Sequence, residues 1–269
     1  MNTRTKLAAF AAVGVMGAGA LTVAAPANAS PLSPAAASSA KADGPGQDGY
    51  ATAQQRSKPY VMSPQKAAWV KAHAMKMSPN LCSPDIGCPT AASGVVAQTQ
   101  QGQIAGNYCG PATLVETLAQ AGRYPGDQTW AAHQLGTGAP GGSGTGSSTI
   151  LATVLNAQLA GVAHYDTVYV YSPYSNYVAD YENRLRSDIQ SGYGLAAVAE
   201  EVHNGPHLNG HPNNAVTIHH FFNIRGYTQS GATTLYEDSA TTVWSSVPAY
   251  SGISSDTLVR IIAGRQYYW

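Results

Sequence analysis

The tightest constraint on this chain is a cysteine placed at the mouth of a helix, in Cys109-Gly110-Pro111 followed by an apolar stripe. Pro111 lacks a backbone N–H and has a preset φ, which suits the first helical turn. Leu114, Val115 and Leu118 fall on one face, and Gly122 supplies a stop. A sulfur in that place meets unpaired N–H groups and the positive end of the helix dipole. Both favour the thiolate, which is the nucleophilic form. The same N–H groups can bind an oxyanion formed beside the sulfur. Gly110 leaves room for a substrate carbonyl. The alternative is a small buried cysteine that packs like alanine.

Export gives the cysteine count its meaning. Arg4 and Lys6 precede an uncharged run from Leu7 to Ala25, and Ala27-Asn28-Ala29 presents small residues for cleavage before Ser30. A membrane anchor is the other reading of the run, but it is only weakly apolar and Pro26 follows it. Residues 1–29 are therefore read as a signal peptide and the protein as secreted. Of three cysteines, Cys82 and Cys88 flank a Pro/Asp/Gly loop, LCSPDIGCP, and are expected to form a disulfide. Cys109 is then left as a thiol.

Losing Arg4 and Lys6 from 14 basic and 14 acidic residues leaves 12 against 14. That balance provides no clustered basic platform for nucleic acid. Residues 30–58 are rich in Ala, Ser, Pro, Gly and Gln and read as a flexible linker or pro-segment. Residues 59–97 form an N-terminal extension with a helix opened by Ser63-Pro64 and the expected disulfide. Residues 98–269 form the main domain, an ordinary size for one domain.

Within it, Gly136 to Ser147 is Gly-rich and lacks the GK[ST] of a phosphate cradle, so it reads as a mobile surface loop. Thr149 to Leu159 and Tyr177 to Gln190 read as helices. His164–Tyr171, Leu195–Val202, Ala215–Tyr227 and Thr233–Asp238 read as strands. Asp256 can cap a last helix. Helices first and strands later predict an α+β domain, with the cysteine helix packed on an antiparallel sheet.

A thiol nucleophile needs an imidazole and a group that orients it. His219 and His220 lie together in a strand, so their side chains point to opposite faces. Asp238 follows near the end of the next strand, where antiparallel pairing brings it beside His220.

YCGPATLVETLAQAG, with Gln103 six residues before the cysteine, resembles the double-glycine (bacteriocin-processing) peptidase-like cysteine peptidases of the papain-like superfamily. ENRLRSDIQSGYGLAAVAE, HHFFNIRGY and YEDSA are similar to that family's helix-turn-strand, histidine strand and acidic strand end. The resemblance spans roughly residues 98–245. It implies Cys109 as nucleophile, His220 as base, Asp238 as the orienting acid and Gln103 as an oxyanion donor. His220 lies six residues before Gly226, as the family's histidine does. Ser239 follows Asp238 where the family has proline, and Glu237 is the alternative acid. The resemblance implies a papain-like fold and hydrolysis of peptide or related amide bonds, with a peptide or protein substrate and no cofactor or metal. The export signal and the lack of a transporter segment separate this chain from leader-processing members.

Three other functions compete. His203, His207 and His211 recur every fourth residue, but Gly and Pro in HNGPHLNGHPNN argue against a helix that would align them on a metal. That segment is expected to be an exposed loop near the active-site rim. Tyr165, Tyr169, Tyr171, Tyr174 and Tyr177 could line a binding surface in a non-catalytic module. An acyl transferase or transpeptidase would use the same triad with an amine as acceptor. Non-reducing peptide mapping of the exported protein is expected to yield an N-terminal peptide starting at Ser30 or beyond and a Cys82–Cys88 cross-link. A Met1 peptide, or Cys109 cross-linked in active protein, would contradict the reading.

Overall fold

Alternation of side chains along one long strand organises the domain. The computed structural model describes residues 58–73 and 91–269. The signal segment, nearly all of the 30–58 linker and the Cys82–Cys88 pair lie outside the described residues. Among the described residues the helices are α1 (Pro64–Ala72), α2 (Cys109–Gln120), α3 (Gln128–Leu135), α4 (Ile150–Gln158), α5 (Val178–Gln190) and α6 (Ser255–Ile262). The strands are β1 (Gly94–Val95), β2 (Thr167–Tyr169), β3 (Leu195–Glu201), β4 (Ile218–Thr228), β5 (Thr233–Glu237), β6 (Tyr250–Ser254) and β7 (Gln266–Tyr268).

All strands join one antiparallel sheet in the order β2-β7-β3-β4-β5-β6, with β1 added to β4. β3 is a run of small and apolar residues, LAAVAEE, and nearly all of it is buried. Such a run suits a central strand covered on both faces. β4 carries a register shift between Ile224 and Gly226. A Cβ on Gly226 would stand 2.5 Å from the Gly94 carbonyl oxygen. Glycine there lets β1 pair onto the bulged end of the strand.

Every residue of α2 is buried. Its polar members therefore need internal partners. Asn223 on β4 donates to Thr117 Oγ1 at 2.9 Å and shares hydrogen bonds with the Gln120 amide. The Gln101 backbone N–H donates to Glu116 Oε1 at 2.7 Å. Burial pushes the Glu116 carboxyl far above its ordinary range. Gly122, at φ +70°, turns the chain out of the helix.

α1 brings Trp69 and Val70 into the core, together with buried Lys66. Lys66 Nζ bonds both Asp188 oxygens at 3.1 Å and stands 4.2 Å from the Trp269 ring centroid. The C-terminal residue is thus held by an N-terminal helix through a cation–π contact.

Several local expectations change. The strand expected over 164–171 is only Thr167–Tyr169, because Tyr165 hydrogen-bonds with Asn156 instead of a strand. The last helix is capped by Ser254, whose side chain accepts from Thr257 N, and Asp256 sits in its first turn. The Gly-rich loop is anchored: Asn107 Nδ2 donates to the carbonyls of Gly138, Ala139 and Ser143, and Thr145 is buried. Thr145 packs where a Cβ on Gly110 would fall, so this loop, in place of a substrate, fills the space beside Gly110.

Removing one partner of a buried ion pair leaves an uncompensated charge. Lys66→Met is expected to lose about 3–5 kcal/mol of unfolding free energy in denaturant titrations. The double variant Lys66→Met/Asp188→Leu should recover most of it. Equal losses in both would contradict the pair's role.

Candidate active site

β3 and β4 set the site through their register. Ala199 opposes His220, Glu200 opposes His219 and Glu201 opposes Ile218. Opposed residues share a face and neighbours alternate, so His220 and Glu201 lie on one face and His219 and Glu200 on the other. The two histidines consequently meet opposite charges. Arg265 bonds Glu200 at 2.9 Å, and its guanidinium approaches His219 Nε2 at 2.6 Å. The His220 Nε2 instead meets Asp238 Oδ1 at 2.9 Å.

Asp238 follows the last residue of β5. Its neighbour Glu237 faces Arg225 at 3.3 Å, so of the two acids it is Asp238 that reaches His220. Asp238 is almost fully buried and accepts three hydrogen bonds. His220 Nε2 and the Ala240 N–H, both at 2.9 Å, serve Oδ1, and His211 Nε2 serves Oδ2 at 3.0 Å. Burial alone would raise its pKa. The facing His220 and His211 rings outweigh that and hold the carboxyl well below its ordinary value.

His211 was expected on an exposed loop, and it is buried. Its Nδ1 faces Glu201, 3.0 Å from Oε1 and 3.1 Å from Oε2, while Nε2 faces Asp238. The Trp244 ring packs edge-on at 4.8 Å between centroids. Burial opposes a charged ring, but hydrogen bonds to Asp238 and Glu201 and their charges prevail and raise the pKa to about 9. Sequence spacing grouped His211 with His203 and His207, which instead bond the Asn214 and Gly205 carbonyls. The signal for His211 lay in Glu201, a carboxylate that is fully buried at the end of β3.

His211, His220 and Asp238 each offer an atom within 4.8 Å of the others, and this is the metal-sized cluster among the described residues. Both rings bond the Asp238 carboxylate, and these hydrogen bonds hold the three groups together.

Gln103 is buried. Its Nε2 donates to the Ala105 and Gly106 carbonyls at 2.9 and 2.8 Å, and its Oε1 accepts from the Ser239 hydroxyl at 3.2 Å. It ties the segment before Cys109 to the segment after Asp238. Cys109 is buried at the first turn of α2. A Cβ on Gly110 would lie 3.5 Å from the Phe221 ring, so the helix mouth adjoins β4 one residue from His220.

A buried cysteine at a helix start, packed on an antiparallel sheet that carries a His–Asp pair, defines the α+β architecture of papain-like cysteine peptidases. The chain belongs to the Peptidase_C39 like family, which matches residues 94–255. No curated protein matches it.

The buried charges dictate how stability depends on pH. The raised His211 pKa stabilises the fold fully below its ordinary 6.5, and the contribution is lost as pH rises through about 9. Asp238, held low, contributes above its ordinary 3.8 and loses that contribution as pH falls further. Glu237, which burial raises to about 7 against the pull of Arg225, also loses stability as pH rises from 4.5 toward that value. Unfolding free energy is therefore expected to fall by on the order of 3 kcal/mol between pH 6.5 and 9. A flat denaturation midpoint across that interval would contradict a cationic His211.

Proposed function

We propose that the protein is an exported cysteine peptidase that hydrolyses peptide or related amide bonds through Cys109, His220 and Asp238. The observation that carries this reading is the 2.9 Å contact of His220 Nε2 with buried Asp238, in a chain of a cysteine peptidase family. Asp238 occupies one ring nitrogen, which leaves Nδ1 to exchange a proton with the thiol. Export is supported by the charged start, apolar run and Ala27-Asn28-Ala29 site.

The steps follow from ordinary acyl-transfer chemistry. His220 takes the Cys109 proton, and the thiolate attacks the substrate carbonyl carbon. The Cys109 backbone N–H donates to the oxyanion. Gln103 becomes a second donor by releasing a carbonyl of Ala105 or Gly106. The C–N bond breaks as His220 protonates the leaving amine, which leaves a thioester. Water then attacks, His220 accepts its proton, and C–S cleavage frees the acid.

His219 is the alternative base that one observation favours. On alternating β4 it shares a face with Phe221 and Asn223, the residues that meet α2. Its Nε2 meets the Arg265 guanidinium, whereas His220 Nε2 meets the carboxylate that orients a catalytic imidazole.

Assays on a responsive member of a peptide library separate these readings. Cys109→Ala is expected to abolish turnover, and His220→Ala to lower kcat/KM by about 10³-fold or more. Asp238→Asn should fall between these and wild type. His219→Ala should keep most activity, and chelator should have no effect. Equal losses at His219 and His220, or turnover by Cys109→Ala, would overturn the mechanism.

A further inference from the structure

Both ring nitrogens of His211 face carboxylates: Nδ1 lies 3.0 Å from Glu201, and Nε2 lies 3.0 Å from the Asp238 oxygen that His220 does not use. A neutral imidazole has one N–H, so it would turn a lone pair toward one of these carboxylates. Only the doubly protonated ring donates to both. The arrangement is a buried row of anion, cation, anion and imidazole that runs from Glu201 through His211 and Asp238 to His220.

We infer that His211 is a positioning residue of the active site, which pins the carboxylate that orients His220 and cancels one of the two buried negative charges behind it. The inference rests on the reading of Cys109 and His220 as nucleophile and base.

Its first effect is orientation. With both oxygens bonded to rings, the Asp238 carboxylate cannot rotate about its own axis without breaking a buried hydrogen bond. The second effect is charge. Without the His211 cation, Glu201 and Asp238 would place two negative charges behind His220. The His220 imidazolium would then hold its proton more tightly against the leaving amine. A Cys109 thiolate would also form against a more negative field. Both changes move the working range to higher pH.

The groups around His211 are accounted for element by element. Glu201 comes from β3, His220 from β4, and Asp238 from the segment after β5. Tyr236 of β5 is held by the Asn209 N–H at 2.8 Å, and its pKa is raised by burial to about 12, so it stays neutral. Trp244 brings no charge. Glu116 of α2 acts on Asp238 through space, and burial favours its uncharged form.

The test is the pH profile of Cys109 alkylation by iodoacetamide, read at that residue by mass spectrometry on the full exported chain. Wild type, His211→Gln, His220→Ala and the double variant are compared. Gln keeps a neutral donor toward Asp238 and loses the charge. Its profile should move up by about one pH unit, so alkylation near pH 5 slows roughly tenfold. His211→Gln should shift the His220→Ala profile by less than it shifts the wild-type profile, because only the direct field at Cys109 then remains. His211→Ala, where it folds, should lose more turnover than His211→Gln, since it loses orientation as well as charge.

An unshifted His211→Gln profile, with His220→Ala clearly altered, overturns the inference and leaves the catalytic reading standing. A His220→Ala profile identical to wild type overturns the catalytic reading, and the inference with it. Nitrogen-15 NMR of the wild type needs no variant to fold: His211 should remain doubly protonated at pH 7, and a neutral ring there overturns the inference directly.

Discussion

The carboxylate of Asp238 is the junction on which the rest of the site depends. It is buried, yet it must stay ionised, and three N–H donors make that tolerable. Each donor comes from a different stretch of chain: the 203–214 loop, β4, and the turn after Asp238 itself. The backbone around it is equally committed. Gln100 Nε2 donates to the Asp238 carbonyl at 2.6 Å, and the Gln103 N–H donates to the Ser239 carbonyl at 2.8 Å. The segment leading into Cys109 is thus laid along the segment that carries the acid. A buried charge of this kind adds little net stability against an apolar replacement, and its value lies in the one arrangement it permits.

Much of this fold was legible because its signals are local. Pro111 and Gly122 bracket α2, and alternation along the strand sends His219 and His220 to opposite faces. What stayed hidden depends on tertiary partners. α3 is bracketed by an Asp127 cap and Gly136 at φ +65°, but its polar sequence QTWAAHQL has a weak apolar stripe. β6, YSGIS, is a half-exposed edge strand with a glycine, so its composition resembles a loop. The Gly-rich loop appears unanchored until Asn107, thirty residues upstream, is seen to hold it. His211 was misplaced for the same reason. Its loop reads as polar and exposed, and the two carboxylates that meet it lie on either side in sequence, at the end of β3 and just after β5.

The polar residues inside α2 explain how a cysteine can be held in one orientation by a helix that touches protein all round. An apolar cylinder in an apolar socket can rotate or slide by a residue at modest cost, because hydrophobic burial is non-directional. Thr117 and Gln120 remove that freedom. Their bonds to Asn223 are satisfied in one rotation of the helix, and any slip would strand buried amide and hydroxyl groups. Glu116 adds a second fixed point, because its carboxyl receives the Gln101 N–H from the loop that precedes Cys109. Asn223 stands three residues from His220 on the same strand, so the helix is indexed to the strand that supplies the imidazole. Asp238 in turn indexes that imidazole to the loop that leads back into Cys109. The chain is therefore closed into a polar circuit from Gln101 through α2, β4 and Asp238 to Gln103, which fixes the cysteine helix and the histidine strand against each other.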